Sequence, residues 1–162
     1  LGDGLNIGAS VFLAQSEADK NTDLSMFLTE AHMQYKNNGW DIQALATYGT
    51  LGGDVEDLRT STNDIADTVH GEYLMVAYNI MPHVAKSTHK FYLLGEIENL
   101  DMDADGQTTY QDNNRFMEYT AGINYFPDPK VTIKANYEIR DYASDAKLKD
   151  EEALTFALGF IF

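Results

Sequence analysis

Residues 131–142 read VTIKANYEIRDY. Val131, Ile133, Ala135, Tyr137 and Ile139 fall on one side of an extended chain, with Thr132, Lys134, Asn136, Glu138 and Arg140 on the other. Successive strand side chains point to opposite faces, so this period of two predicts a β-strand with one apolar and one charged face. The preceding Pro127-Asp128-Pro129-Lys130 reads as a short turn, because proline cannot continue a ladder.

The same rhythm recurs on both sides of this run. Before it, Met117, Tyr119, Ala121, Ile123 and Tyr125 oppose Glu118, Thr120, Gly122 and Asn124. After it, Leu154, Phe156, Leu158, Phe160 and Phe162 oppose Ala153, Thr155, Ala157, Gly159 and Ile161. Further upstream lie Phe91, Leu93, Gly95 and Ile97 against Tyr92, Leu94, Glu96 and Glu98, and the less distinct Glu72–Ile80, where Leu74, Val76, Tyr78 and Ile80 are preferred as the apolar set. Trp40, Ile42, Ala44, Ala46 and Tyr48 oppose Asp41, Gln43, Leu45 and Thr47. Phe27, Thr29, Ala31, Met33 and Tyr35 oppose Glu30, His32, Gln34 and Lys36. Leu5, Ile7, Ala9, Val11 and Leu13 begin the series. Asn37-Asn38-Gly39 is a tight turn whose Asn and Gly tolerate positive φ. This predicts eight strands in one domain, residues 1–162, with a helical turn conceivable only inside 51–70.

Composition narrows the class. The chain has 162 residues, 26 acidic against 11 basic, and a net charge of −15. That sign argues against nucleic-acid binding, which needs a basic face. With no cysteine there is no disulfide framework, thiolate metal site or cysteine nucleophile. No apolar stretch approaches the roughly 18 residues of a membrane helix. The start at Leu1, with neither a Met nor an apolar leader, agrees with a processed chain or a fragment.

Alternation alone serves a soluble barrel or sandwich as well as a membrane barrel. Three features favour an apolar face turned to lipid. Ionisable groups crowd the polar faces and are missing from the apolar ones. Aromatics gather at strand ends, with Tyr35, Trp40, Phe91, Tyr125 and Phe162 at one end and Phe27 and Tyr48 at the other, as in interfacial girdles. Connections alternate: 37–39, 81–90 and 127–130 are the shorter, and 15–23, 51–70, 101–114 and 143–152 are long and acidic. The pattern of short inner turns and long outer loops belongs to outer-membrane barrels.

The terminal LTFALGFIF, with Phe156, Leu158, Phe160 and Phe162 at alternate positions, resembles the C-terminal signal strand of Gram-negative outer-membrane β-barrels. FYLLGEIENLD (91–101), YTAGINYFP (119–127) and VTIKANYEIRDY (131–142) extend the resemblance to the C-terminal portion of porin-like proteins, over roughly residues 72–162. The resemblance implies an antiparallel up-and-down transmembrane β-barrel in the bacterial outer membrane, in contact with lipid and lipopolysaccharide. It also implies a last strand read by the barrel-insertion machinery, and small hydrophilic solutes or ions as cargo. Trimers are common in that family. Porins are usually much longer than this chain, so the eight strands are expected to form either a complete small barrel or the C-terminal half of a larger one.

Barrel size sets what the interior can do. Eight closed strands leave room only for side chains, whereas 16–18 enclose a water-filled channel. The inward set is expected to hold Glu30, His32, Lys36, Asp41, Glu96, Glu98, Glu118, Lys134, Glu138 and Arg140. Its excess of carboxylates favours a wide, mildly cation-leaning lumen, because rings of carboxylates attract cations. A closed eight-stranded barrel would instead be an anchor or adhesion module, and a soluble acidic barrel binding a small apolar ligand is a third reading.

Residues 101–112 match D-x-D-x-D-G with an acid at position twelve, the ligand spacing of a calcium loop. Asp101, Asp103, Asp105, the Gln107 carbonyl and Asp112 would converge on Ca²⁺, with Gly106 permitting the bend. Asp in place of Glu at position twelve shortens the reach, and strands replace the flanking helices. The alternative is a solvated acidic hairpin loop, and no cofactor is required by anything else in the chain. His32, His70, His83 and His89 lack metal-ligand spacing and read as solvent-facing residues. Glu96 and Glu98 share a strand face, as acidic linings routinely do. With no nucleophile elbow, P-loop or H-E-x-x-H, the chain is not expected to be an enzyme.

Overall fold

The computed structural model describes residues 3–19, 22–55, 65–106, 115–143, 146 and 148–161. Eight strands form one sheet: β1 (Leu5–Asp19), β2 (Thr22–Asn37), β3 (Trp40–Gly53), β4 (Thr68–Asn79), β5 (Lys90–Asp101), β6 (Arg115–Asp128), β7 (Val131–Tyr142) and β8 (Glu151–Phe160). Every neighbour in space is the neighbour in sequence, and every pairing is antiparallel. A single helical turn, α1 (Met81–Val84), sits between β4 and β5, with Pro82 in its first turn where a missing N–H costs nothing. A helical turn thus falls in the 81–90 connection; within 51–70, Val55 is also helical, and residues 56–64 of that segment lie outside the described set.

The all-β, up-and-down expectation with eight strands is met, and so are the faces. One transverse row of the ladder runs Ile7, Met33, Ala44, Leu74, Ile97, Tyr119 and Ile139, all on the apolar side. The next row on the opposite side runs Gly8, His32, Leu45, Tyr73, Glu98, Glu118 and Arg140. Leu74, Val76 and Tyr78 do belong to the apolar side of β4, paired with Ile97, Gly95 and Leu93.

The β2–β3 turn is built as the sequence predicts. Asn38 and Gly39 take φ of 49° and 87°, the pair of positive values that a two-residue hairpin turn requires. At the β6–β7 turn the register shifts between Tyr125 and Asp128, at the ladder break that Pro127 imposes. The Lys130 N–H then donates to Asp128 Oδ1 at 2.9 Å.

Three connections are shorter than the sequence suggests. The expected loop 15–23 is ladder instead: Gln15 pairs with Ser25, Ser16 with Leu24 and Glu17 with Asp23, leaving only residues 20–21 between the strands. β3 runs on to Gly53, and β8 begins at Glu151 inside the expected loop 143–152. The physical reason is common to all three. Backbone hydrogen bonds build the ladder and are indifferent to polar side chains. Alternation persists only where one face must be apolar. At about 3.3 Å per residue, the 15 and 16 residues of β1 and β2 reach about 50 Å.

The sheet is open. β1 pairs only with β2 and β8 only with β7, so the complete eight-stranded barrel is not formed. Closure at eight would bring the polar face into an interior just filled by side chains. Glu96, Glu98, Glu118 and Glu138 would be crowded there, with Arg140 the only cation on their three strands near them.

Among the described residues, no second layer covers the apolar side. Among the described residues, the buried hydrophobics are Val55 and Ala77, 3% and 4% exposed. Val11, Leu13, Leu93, Leu154, Phe156 and Leu158, all on the apolar face, are exposed. The polar side is concave. Lys36 of β2 and Lys134 of β7 line one hollow of about 540 Å³. In a flat sheet, five strand spacings would hold their backbones about 24 Å apart.

Candidate functional site: the polar face of the sheet

The ten residues expected to share a face do share it. Glu30, His32 and Lys36 of β2, Asp41 of β3, Glu96 and Glu98 of β5, Glu118 of β6, and Lys134, Glu138 and Arg140 of β7 all take the polar parity of the register. The face carries charge in two zones.

The first zone is acidic. Glu98 stands directly opposite Glu118 across the β5–β6 ladder, and Glu118 stands opposite Arg140 across β6–β7. Arg140 donates to the same Glu118 oxygen through Nη2 at 2.7 Å and Nε at 2.8 Å, and its Nη1 lies 4.0 Å from Glu151. Its guanidinium packs 4.4 Å from the Phe116 ring centroid, a cation–π arrangement that fixes the fork in place. One row along, Glu96 and Glu138 flank Thr120, and the Thr155 hydroxyl donates to Glu138 at 3.1 Å. Of these four carboxylates on three adjacent strands, Glu118 is the one that Arg140 engages.

The second zone lies toward the short turns. Lys36 pairs with Asp41 at 3.1 Å, and Asp41 also accepts from Gln43 Nε2 at 3.2 Å. Lys90 and Lys134 line the same hollow and have no ion-pair partner among the described residues. Lys90 was missed because it falls in a connection by hydropathy. Extending the β5 alternation one step back from Tyr92 would have found it. At the β1 side, His32 Nδ1 lies 2.9 Å from Glu30, and the imidazole rests over Gly8. A Cβ at Gly8 would come within 2.6 Å of that ring, so the glycine makes the close approach feasible.

On the apolar face, the aromatic residues expected at the short-turn end form contacts. Trp40 and Tyr78 have ring centroids 4.6 Å apart, and Phe91 and Tyr125 5.9 Å. The histidines do more than face solvent. His83 Nε2 lies 2.6 Å from the Tyr78 hydroxyl, and His89 Nδ1 lies 2.9 Å from the Tyr125 hydroxyl. Each phenol therefore has a polar partner. His70 lies 3.2 Å from Glu72 at the far end. Of the expected terminal signal residues, Phe156, Leu158 and Phe160 lie in a row on the apolar side of the edge strand β8, with Phe156 74% exposed. Phe162 lies outside the described residues.

The acidic loop is described in part. Asp101 ends β5 and is 8% exposed, and Asp103 is 3% exposed. Asp101 Oδ1 accepts the Asp103 N–H at 3.0 Å, and the Thr68 hydroxyl donates to Asp105 at 3.4 Å. Gly106 has φ of 69°, the sharp bend the spacing asks for. Gln107 and Asp112 lie outside the described residues. Among those described, no group of three or more metal-ligating side chains converges.

No family model matches the chain, and no solved structure matches it. A protein of Aquifex aeolicus (strain VF5), named only as an uncharacterized protein, is 29% identical over 176 aligned residues. The alignment takes in all of this chain and 39% of that protein, so the chain spans about two fifths of its relative's length.

Proposed function

We propose that this chain is an arc of an outer-membrane, porin-like β-barrel that passes small hydrophilic solutes or ions by diffusion. One observation carries the reading: the apolar face of the sheet is uncovered while the charged face is concave. A soluble sheet buries its apolar face and wets the other. Here the apolar side presents row upon row of exposed Leu, Ile, Val and Phe, a surface suited to lipid. The paired aromatics Trp40–Tyr78 and Phe91–Tyr125 mark where that surface would meet headgroups.

The free edges at β1 and β8 favour the larger barrel over a closed eight-stranded anchor. An unpaired strand edge in a bilayer leaves backbone groups unsatisfied at several kcal/mol each, so further strands would close the sheet. The strand polar faces carry Glu30, Asp41, Glu96, Glu98, Glu118, Glu138 and Glu151 against Lys36, Lys90, Lys134 and Arg140. A wetted interior with that balance leans toward cations. Its chemistry is electrostatic selection, with no catalytic step.

Planar-bilayer recording of the full natural protein tests this. Stable conductance with a reversal potential shifted toward the cation side in a salt gradient is the expected result. A protein that inserts and stays electrically silent would replace the channel with an anchor, and one that stays dispersed without detergent or lipid would overturn the membrane reading altogether.

A further inference from the structure

We propose that the hollow at the short-turn end of the polar face is a binding subsite for small multivalent oxyanions of the phosphate type, held by Lys36, Lys90 and Lys134. The chain has 11 basic residues in a total charge of −15, yet three of the 11 line this one hollow of about 540 Å³. The carboxylate that lines it with them is Asp41, already engaged with Lys36 at 3.1 Å. Lys90 and Lys134 therefore bring to the same cavity, from strands β5 and β7, two ammonium groups that have no ion-pair partner among the described residues. Like charges converging on a confined volume repel one another, and a polyanion placed among them converts that repulsion to attraction. Lysine suits the task, because its ammonium is a point charge on a flexible stem that adapts to a tetrahedral oxyanion. Thr88 and Tyr92 supply hydroxyls on the same wall.

The subsite is set apart from the carboxylates by the strand itself. Lys134 and Glu138 share the polar face of β7 four residues apart, about 13 Å along the chain. That exceeds the screening length of about 8 Å at physiological ionic strength, so an anion at the lysines is largely screened from the acidic zone. The hollow opens on the polar face, away from the apolar side, so its occupant is a dissolved oxyanion and not a lipid headgroup. A solute entering from the short-turn end would meet a positive zone first and a negative zone second. The face thus couples local anion capture to an interior that is acidic as a whole.

The inference rests on the polar face being the wetted one, and competitive lysine acylation read by mass spectrometry separates the two ideas. The full natural protein, folded in detergent, is labelled with and without inorganic phosphate, with chloride holding ionic strength constant. Occupancy slows labelling by a factor of 1 + [L]/Kd, so at phosphate about ten times above its dissociation constant Lys90 and Lys134 should label about tenfold more slowly. Lys149, exposed beyond β7 at the opposite end, should be unchanged. In Lys90→Gln, protection of Lys134 should weaken. Equal labelling of Lys90 and Lys134 with and without phosphate overturns the subsite and leaves the channel reading intact. Lysines 90 and 134 that resist labelling without phosphate, while Lys149 labels readily, overturn both, because the polar face would then not be wet.

Discussion

Glu98 and Glu118 face each other directly across the β5–β6 ladder, and among the described residues only Glu118 of the two has a cation in reach, the Arg140 fork at 2.7 Å and 2.8 Å. Like charges placed opposite on adjacent strands destabilise a sheet by a few tenths of a kcal/mol or more. Glu98→Gln should therefore leave stability unchanged or raise it slightly. Arg140→Gln strips the row of its counter-charge and of its packing on Phe116, at a cost of about 1 kcal/mol for a pair this exposed. Urea unfolding of the folded protein in detergent measures both. The two changes should also move ion selectivity in opposite directions, Glu98→Gln reducing cation preference and Arg140→Gln increasing it. A shift of the same sign from both would mean that this row does not face the permeating ions.

The part of the fold written most plainly in the residues is the part where one face has to be apolar. From Leu5 to Leu13, and from Val131 to Ile139, hydropathy alternates because successive side chains fall on the apolar and the polar side of one sheet. The strand faces could be read directly from that. The polar strand ends could not: Gln15 to Glu17 pair with Asp23 to Ser25 through backbone bonds that leave no hydropathy signal. For the same reason Lys90 passed as part of a connection, although it is the first residue of β5. Closure is not local at all. Whether β8 meets β1 depends on curvature summed over eight strands, and no single run of residues encodes it. The shared face of the ten polar-face residues was legible from parity alone. Their division into an acidic and a basic zone needed the register to show which rows fall side by side.

Trp40 is the chain's single tryptophan, and it sits at the short-turn end of the apolar face against Tyr78. It is a built-in depth reporter. In vesicles its emission should shift to the blue, and lipids brominated near the headgroup should quench it more strongly than lipids brominated near the chain end, since interfacial aromatics sit at headgroup level. Tyr78→Ala should cost about 1 kcal/mol, the worth of an aromatic pair beyond its burial, and broaden the quenching profile. Emission that ignores the lipid would place the apolar face against protein instead.

The spacing Asp101-x-Asp103-x-Asp105-Gly106 predicts that millimolar calcium raises the thermal midpoint of the protein, with magnesium as the smaller-ion control. Asp103→Asn should abolish the calcium increment, and Thr68→Val, which replaces the hydroxyl donated to Asp105 by a methyl, should weaken it. Stabilisation by a ligand follows RT ln(1 + [L]/Kd), so a site of about 1 mM affinity would give about 1.4 kcal/mol at tenfold excess. Midpoints that do not move with calcium would reduce the loop to a solvated acidic hairpin.

The strand β8 offers a decision between its two faces at adjacent positions. Phe156 lies 74% exposed in the apolar row, paired with Ala135, while Thr155 lies on the other side with its hydroxyl on Glu138. An arginine on the lipid side of a membrane barrel costs about 2–4 kcal/mol near the bilayer midplane, whereas the lumen side tolerates it. Phe156→Arg should therefore block refolding into vesicles, read as loss of the heat-modifiable band on gels. Thr155→Arg should fold as well as the parent, because its guanidinium arrives beside a carboxylate that has no arginine of its own. If the sheet instead packs its apolar face on further protein, Phe156→Arg would fail in water as it does in lipid. If the polar face were the covered one, Thr155→Arg would be the variant that fails.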